Sequence, residues 1–278
     1  MARKRRRKYV IDEKRAAQFV KEGRGQGEGA DYKPWLTTQD VPSQGRCHRL
    51  RGICTGRIHH LLSDLELDLF LLLDWQPSTV DLREQFPLDV KDTQDIAEGM
   101  KVRHPRMPGT PQPMVMTTDL VQDCRLGAKE VTRAFAVKSA EELAKPRVLQ
   151  KLEIEWRYWQ ERGIPWSIVT RAELPRQLIG NIAWAHPFFS PAGIEDRVLA
   201  LIPTFLNEVV TPRRLSLAAF CNEMDARHGL PPGSGLTLMR HLLSTRKVTC
   251  AMEHVTLNGN LPISELKVND EYQKRRLV

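Results

Sequence analysis

The stretch "MTTDLVQDCRLGAKEVTRAFAVKSA", Met116 to Ala140, restricts the fold of this chain most narrowly. Two β-prone runs flank a glycine turn, which predicts a hairpin with Asp119 near one end and Lys138 near the other. Strand side chains alternate between faces, so Asp119, Val121 and Asp123 share one side of the first strand. Thr132, Ala134, Ala136 and Lys138 share one side of the second. Pairing that sets Asp119 across from the Lys138 end brings a carboxylate and an ammonium together at one end of a sheet. A salt bridge satisfies that arrangement. So does a metal-dependent phosphodiesterase site, provided a third residue arrives from elsewhere.

The order of elements around the hairpin predicts a mixed sheet with helices packed on it, an α/β (α+β) plan. Residues 9–22 read as a short charged helix. The glycine-rich run Glu22 to Thr37 reads as a flexible connector, since it lacks the Gly-Lys-Ser/Thr ending of a P-loop and follows no strand. Ser63 and Glu66 have capping-box spacing, and Leu65, Leu69, Leu72 and Leu73 follow at helical period. An extended run from Ser78 to Leu88 and a polar loop over about residues 89–113 lead into the hairpin. Ser139 to Gly163 reads as a helix interrupted by Pro146, and Ile164 to Thr170 as an apolar strand.

Prolines and a glycine after Arg171 place a boundary there, giving a basic arm and glycine-rich segment over 1–35, a sheet-containing domain over 36–171, and a linker with a smaller domain over 172–278. In the last part, helices over Ser216–Gly229 and Gly233–Lys247 precede a strand, an Asn-Gly turn and a strand. That order is the winged-helix plan, and it also fits an unrelated small α+β domain.

Charge narrows the partners. The chain carries a formal net charge of +8, and the run "RKRRRK" (Arg3–Lys8) concentrates much of it. A polyanion is favoured, with a DNA-binding arm, a nuclear import signal and a solvated end all open for that run. Arg24, Arg46, Arg240, Arg246 and Lys247 are the further candidates for DNA contact, and Arg240, His241, Arg246 and Lys247 mark a basic-ended helix. The run Leu61–Trp75 is the most apolar, but its four acids suit a buried helix rather than a membrane span. Five cysteines, an odd number, point to a reducing interior. Cys47, His48, Cys54, His59 and His60 match no common zinc module, and free thiols and loop histidines are the better reading.

Glu66, in the first turn of its helix, is the candidate third group. Glu66, Asp119 and the backbone carbonyl of Val137 form a partial oxygen shell suited to Mg²⁺, with Mn²⁺ as a substitute. Such an ion polarises a phosphate and lowers the pKa of the attacking water, and Lys138 supplies a cation near the developing charge. An acid, then Asp, then x-x-Lys at a hairpin is the pattern of PD-(D/E)-x-K nucleases. On local pattern alone the structural reading is favoured: a turn aspartate, a solvated lysine and a capping glutamate.

A set of ordered strings goes further. "KEGRGQGEGADYKPWLT", "GRIHHLLSDLE", "LREQFPL", "MTTD", "AVK" and "KLEIEWRYWQERGIPW" together resemble the TnsA family over roughly the first 170 residues. The remainder resembles it mainly in predicted layout. The resemblance implies a restriction-endonuclease-like, Mg²⁺-dependent catalytic domain that cuts the 5′ (non-transferred) strands at transposon ends. It also implies a DDE transposase partner (TnsB-like) acting on the 3′ ends, an AAA+ ATPase regulator (TnsC-like), no membrane, and a bacterial, cytoplasmic, nucleoid-associated setting. The family's catalytic acids fall on Glu66 and Asp119, and its lysine on Lys138. Ala136 departs from the pattern, because nucleases of this fold carry Asp or Glu there and TnsA proteins can carry Gln. A non-catalytic DNA-binding adaptor and a stand-alone restriction or repair nuclease are the competing classes.

Overall fold

The computed structural model describes residues 11–41, 46–107 and 109–269. The basic run Arg3–Lys8 and the tail Tyr272–Val278 lie outside the described residues. Chain contacts divide into two compact units, Met1–Leu174 and Pro175–Val278.

The first unit opens with α1 (Glu13–Lys21), capped by Asp12, whose side chain accepts from Arg15 N–H. The glycine-rich segment after it is packed, unlike the connector expected from its composition. Tyr32 and Trp35 are buried, the Tyr32 hydroxyl donates to Glu84 O at 3.1 Å, and Trp35 N–H donates to Gln85 O at 3.2 Å. Gly25 and Gly27 have φ of +78° and +88°, and a Cβ on Gly25 would collide with Pro87. Gly25 thus permits close approach to Pro87, and Gly27 to the backbone of Asp31. A hairpin follows where loop histidines were expected, with β1 (His48–Arg51) antiparallel to β2 (Ile58–Leu61).

Helix α2 (Asp64–Asp74) starts at Ser63, whose hydroxyl accepts from Glu66 N–H. The reciprocal half of the expected capping box is replaced: the Glu66 carboxylate accepts from Leu62 N–H and the Ser63 hydroxyl. Strand β3 (Thr79–Pro87) comes next. The loop expected over 89–113 instead contains α3 (Val90–Gly99), which Asp89 caps and Ile96 and Ala97 anchor in the core. Strands β4 (Thr117–Leu126) and β5 (Lys129–Val137) form the predicted hairpin. Pro146 does more than interrupt the next helix. It separates α4 (Ala140–Leu143) from α5 (Pro146–Gln160), where its missing N–H is harmless in the first turn.

Strand β6 (Trp166–Val169) completes a four-stranded sheet of order β3-β4-β5-β6. The first two pairings are antiparallel and β5–β6 is parallel, so the sheet is mixed. Val121 and Ala134 on one face pack against Ile154, Tyr158 and Trp159 of α5 and Ile96 of α3. Each such buried aliphatic side chain contributes about 1.5–3 kcal/mol. This packing fixes α5 against the strand ends that carry Asp119 and Lys138.

The second unit contains α6 (Arg176–Ala185), α7 (Asp196–Leu199), α8 (Ile202–Val209), α9 (Leu217–Arg227) and α10 (Ser234–Ser244). Phe205 and Phe220 meet edge-on with ring centroids 5.8 Å apart. The Asp225 carboxylate accepts from the N–H groups of Gly233 and Gly235, which ties the end of α9 to the start of α10. The Asn-Gly hairpin expected after α10 does not form. Two-residue strands β7 (Val248–Thr249) and β8 (Lys267–Val268) pair at the ends of a long excursion. Asn181 explains much of that path: its side-chain amide donates to Met252 O and Val255 O, and its oxygen accepts from Leu257 N–H. A side chain remote in sequence overrides the local turn signal.

Candidate active site

The β4–β5 ladder ends at the Leu120–Phe135 pair, although β4 continues back to Thr117 and β5 forward to Val137. Past that pair, side chains take the place of the ladder. Asp119 Oδ2 accepts from Val137 N–H at 2.7 Å and from Lys138 Nζ at 2.8 Å. Lys138 Nζ also donates to Val137 O at 2.7 Å. Both backbone groups of Val137 that the parted strands release are therefore satisfied by the two predicted residues. A true capping box follows at once, with Ser139 and Glu142 exchanging side-chain and backbone bonds, and fixes the chain direction after Lys138.

Glu66 reaches the same place from the start of α2. Its carboxylate accepts from Leu62 N–H at 2.9 Å, the Ser63 hydroxyl at 3.0 Å and Gln85 Nε2 at 3.3 Å. Burial first, and then the negative charge of Asp119, pushes the Glu66 carboxyl well above the usual carboxylate range. Burial alone would lower the Lys138 pKa, but Asp119 more than offsets it and Lys138 stays firmly protonated. Glu66, Asp119 and Lys138 thus act electrostatically as one cluster.

Two further residues of this cluster escape sequence reasoning. Glu155, fully buried on α5, accepts from the Thr118 hydroxyl at 2.7 Å and Trp166 Nε1 at 3.0 Å, both on Oε1. Burial first, then Asp119, raises its carboxyl to about 7. In sequence it sits within an apolar helical stripe, and a charged residue at a core position was the available signal. Gln85 stands between the paired residues Glu84–Leu120 and Phe86–Thr118, hence opposite Asp119. It is buried with φ of +49°, rare for a residue with a side chain. A cleft of about 280 Å³ opens beside the cluster, bordered by Asp119, Lys138, Lys151, Glu155, Met114 and Leu36.

The other predicted contact residues have surroundings of their own. Arg24 is engaged within the fold, bonded to Glu22 and Asp40 and stacked 3.6 Å from the Phe19 ring centroid. Arg46 is exposed. Arg240 donates to Trp184 O and lies 3.8 Å over the Phe188 ring, so it serves the second unit's packing. Arg246 has φ of +57° just beyond α10, and its carbonyl accepts from Asn269 Nδ2. Lys247 N–H donates to Leu242 O. His48 pairs with Asp64, and His59 with Glu84 and Thr55.

Two family models match the chain: "TnsA-like endonuclease N terminal" over residues 76–171 and "TnsA endonuclease C terminal" over residues 173–252. The transposon Tn7 transposition protein TnsA of Escherichia coli is 42% identical over 232 residues, covering 84% of this chain and 84% of that protein. The chain belongs to the TnsA endonuclease family. Asp119 and Lys138 fall within the N-terminal TnsA match, whereas Glu66 precedes it. Arg240, Arg246 and Lys247 fall within the C-terminal TnsA match. As a TnsA family member the chain is a transposition endonuclease. Among the described residues no helix is long and apolar enough to cross a membrane.

The donor set fits a hard divalent cation. Glu66, Asp119 and the Val137 carbonyl offer only oxygen. A cation, the Lys138 ammonium, already lies against two of the three groups, at Asp119 Oδ2 and Val137 O. Ala136, buried beside them on β5, adds no ligand.

Proposed function

We propose that this endonuclease hydrolyses the 5′ (non-transferred) strands at transposon ends, using Mg²⁺ held by Glu66, Asp119 and the Val137 carbonyl. Mn²⁺ would substitute. The observation that carries the reading is the bond of Asp119 Oδ2 to Lys138 Nζ at 2.8 Å, made where the strands part and beside buried Glu66. The ion, when bound, would polarise the phosphate and acidify water. Lys138 keeps a fixed positive charge where negative charge grows on the phosphoryl oxygens. Leu62, Ser63 and Gln85 fix the position of the Glu66 carboxyl group. Glu155 keeps Thr118 and Trp166 in place behind Asp119.

The partners follow from the family rather than from the site. A TnsB-like DDE transposase would cut and join the 3′ ends, and a TnsC-like AAA+ ATPase would regulate both, in the bacterial cytoplasm at the nucleoid. The second unit, read as winged-helix-like, would dock on DNA or on the ATPase. Ala136 supports a second reading, an adaptor whose nuclease site has decayed. One assay separates the two. Transposon-end DNA is incubated with transposase, ATPase and Mg²⁺, and native protein is compared with Asp119→Ala. The expected result is 5′-strand cleavage by the native chain alone. Equal 5′ cutting by both proteins overturns the site, and no Mg²⁺-dependent cutting by either supports the adaptor.

A further inference from the structure

Lys151 lies on α5 one turn before Glu155 and borders the same cleft as Asp119 and Lys138. The two cations whose charges act on it are engaged. Lys138 is bonded to Asp119 and Val137, and Arg147 donates to Gln150 Oε1 at 2.9 Å and to Arg103 O at 2.5 Å. The Lys151 ammonium forms no hydrogen bond or ion pair with the described residues. It is half-buried, and burial first, then the charges of Arg147 and Lys138, lowers its pKa. A lysine held partly out of water, facing two like charges without a carboxylate of its own, is unfavourable in the free protein. An anion entering the cleft relieves all three conditions at once.

We propose that Lys151 binds a backbone phosphate adjoining the scissile one in the cleaved strand. This rests on the reading of Asp119 and Lys138 as the place of hydrolysis. The scissile phosphate then lies at the parted strands, and the chain of the substrate continues along α5, where Lys151 meets the next phosphate. Val148 and Leu152, on the same cleft wall, give the intervening sugar an apolar surface. The contact is made in ground state and transition state alike, so it governs affinity and register more than the chemical step.

The test uses the cleavage assay above with Lys151→Met, which keeps the apolar stem and removes only the ammonium, and with Lys151→Arg. Melting temperatures establish that both variants fold. The half-saturating DNA concentration of Lys151→Met should rise about tenfold, as expected for one charge-assisted bond. Its single-turnover rate at saturation should stay within about threefold of native, and Lys151→Arg should restore most of the affinity. Neutral methylphosphonate linkages are then placed singly around the nick. One flanking position should weaken the native protein by about the same factor and leave Lys151→Met unaffected, a silence that a merely structural lysine would not produce. Native affinity in Lys151→Met, equal sensitivity of both proteins at every position, or indifference of the native protein to all flanking positions overturns the proposal. Should Lys151→Met fail to fold, native-like methylphosphonate sensitivity in Lys151→Arg supports it and indifference overturns it. Failure of the active-site reading itself would appear earlier, as cleavage that survives Asp119→Ala.

Discussion

Asp119 accepts the backbone N–H of Val137 at 2.7 Å, one step past the last residue pair of the β4–β5 ladder. The carboxylate thereby substitutes for a strand, and the sheet opens without leaving a buried amide unpaired. An asparagine at this position keeps an oxygen for that N–H but lacks the charge that holds Lys138. Asp119→Asn should therefore melt within a few degrees of native while 5′-strand cleavage falls by a factor on the order of 10³ or more. Thermal denaturation and the end-cleavage assay measure the two quantities separately. Cleavage within tenfold of native would remove Asp119 from the chemistry.

Gln85 faces Asp119 across β3 and β4 with φ of +49°, and its side chain joins Thr117 at 3.1 Å to Glu66 at 3.3 Å. A left-handed backbone at a residue with a Cβ is strained by about 1–3 kcal/mol, which glycine would release. In an ordinary strand glycine is less stable than alanine by about 0.5–1 kcal/mol. At this position the order should reverse, with Gln85→Gly more stable than Gln85→Ala in urea unfolding. Both variants should lose about tenfold in cleavage, since Glu66 loses a lateral tether. Alanine proving the more stable would mean that the strain at Gln85 is negligible.

The arrangement of the candidate site was legible in sequence where the contacts are local or follow strand alternation. Asp119 on one hairpin strand with Lys138 just past the end of the other, and Ser63 before Glu66, are short-range facts that pleat and helix period convert into geometry. Gln85 and Glu155 were not legible. Nothing adjacent in sequence marks a left-handed glutamine, and a glutamate amid Leu152, Ile154 and Tyr158 acquires meaning only once Thr118 and Trp166 arrive from other strands. The fold divides the same way. Helix α3 was missed because two buried residues, Ile96 and Ala97, carry its apolar face among polar neighbours. The hairpin expected near Asn258 failed because Asn181, far back in the chain, holds the segment from Met252 to Leu257 in another path.

Glu155 gives a pH prediction with a definite sign. Its carboxyl rises from 4.5 to about 7 on folding, because burial and the Asp119 charge penalise the anion. The folded state therefore binds the extra proton between those values. The stability this residue contributes is full below about pH 4.5 and declines until the folded group ionises near 7. Glu155→Gln retains an oxygen for Thr118 and Trp166 and carries no charge. In EDTA it should be more stable than native at pH 8, by roughly 2–3 kcal/mol, with the difference vanishing toward pH 4.5. Urea unfolding at pH 5 and pH 8 measures this. A pH-independent difference would place the titration elsewhere.

Glu84 makes the opposite case, and it supports the strand on which Gln85 sits. Its carboxylate is fully buried, yet it accepts from Arg57 at 2.8 and 2.5 Å, from His59 Nδ1 at 2.8 Å and from His60 N–H at 3.0 Å. Burial pushes this carboxyl up, and the bonds from Arg57 and His59 outweigh burial and hold it far below the usual range. Removing Arg57 leaves a buried anion with half its donors. Arg57→Met should cost about 3–5 kcal/mol at pH 7.5, the loss expected when one partner of a buried pair is deleted. Adding Glu84→Gln to that variant removes the stranded charge and should recover at least about half of the loss. Because the depressed pKa favours the folded state above pH 4.5, the native protein should lose this stabilisation as pH falls through the acid range. The double variant should show a flatter acid unfolding profile. Additive losses from the two substitutions would mean that Arg57 supports the fold through Gly29 O and Leu82 O, its other acceptors, rather than through the charge of Glu84.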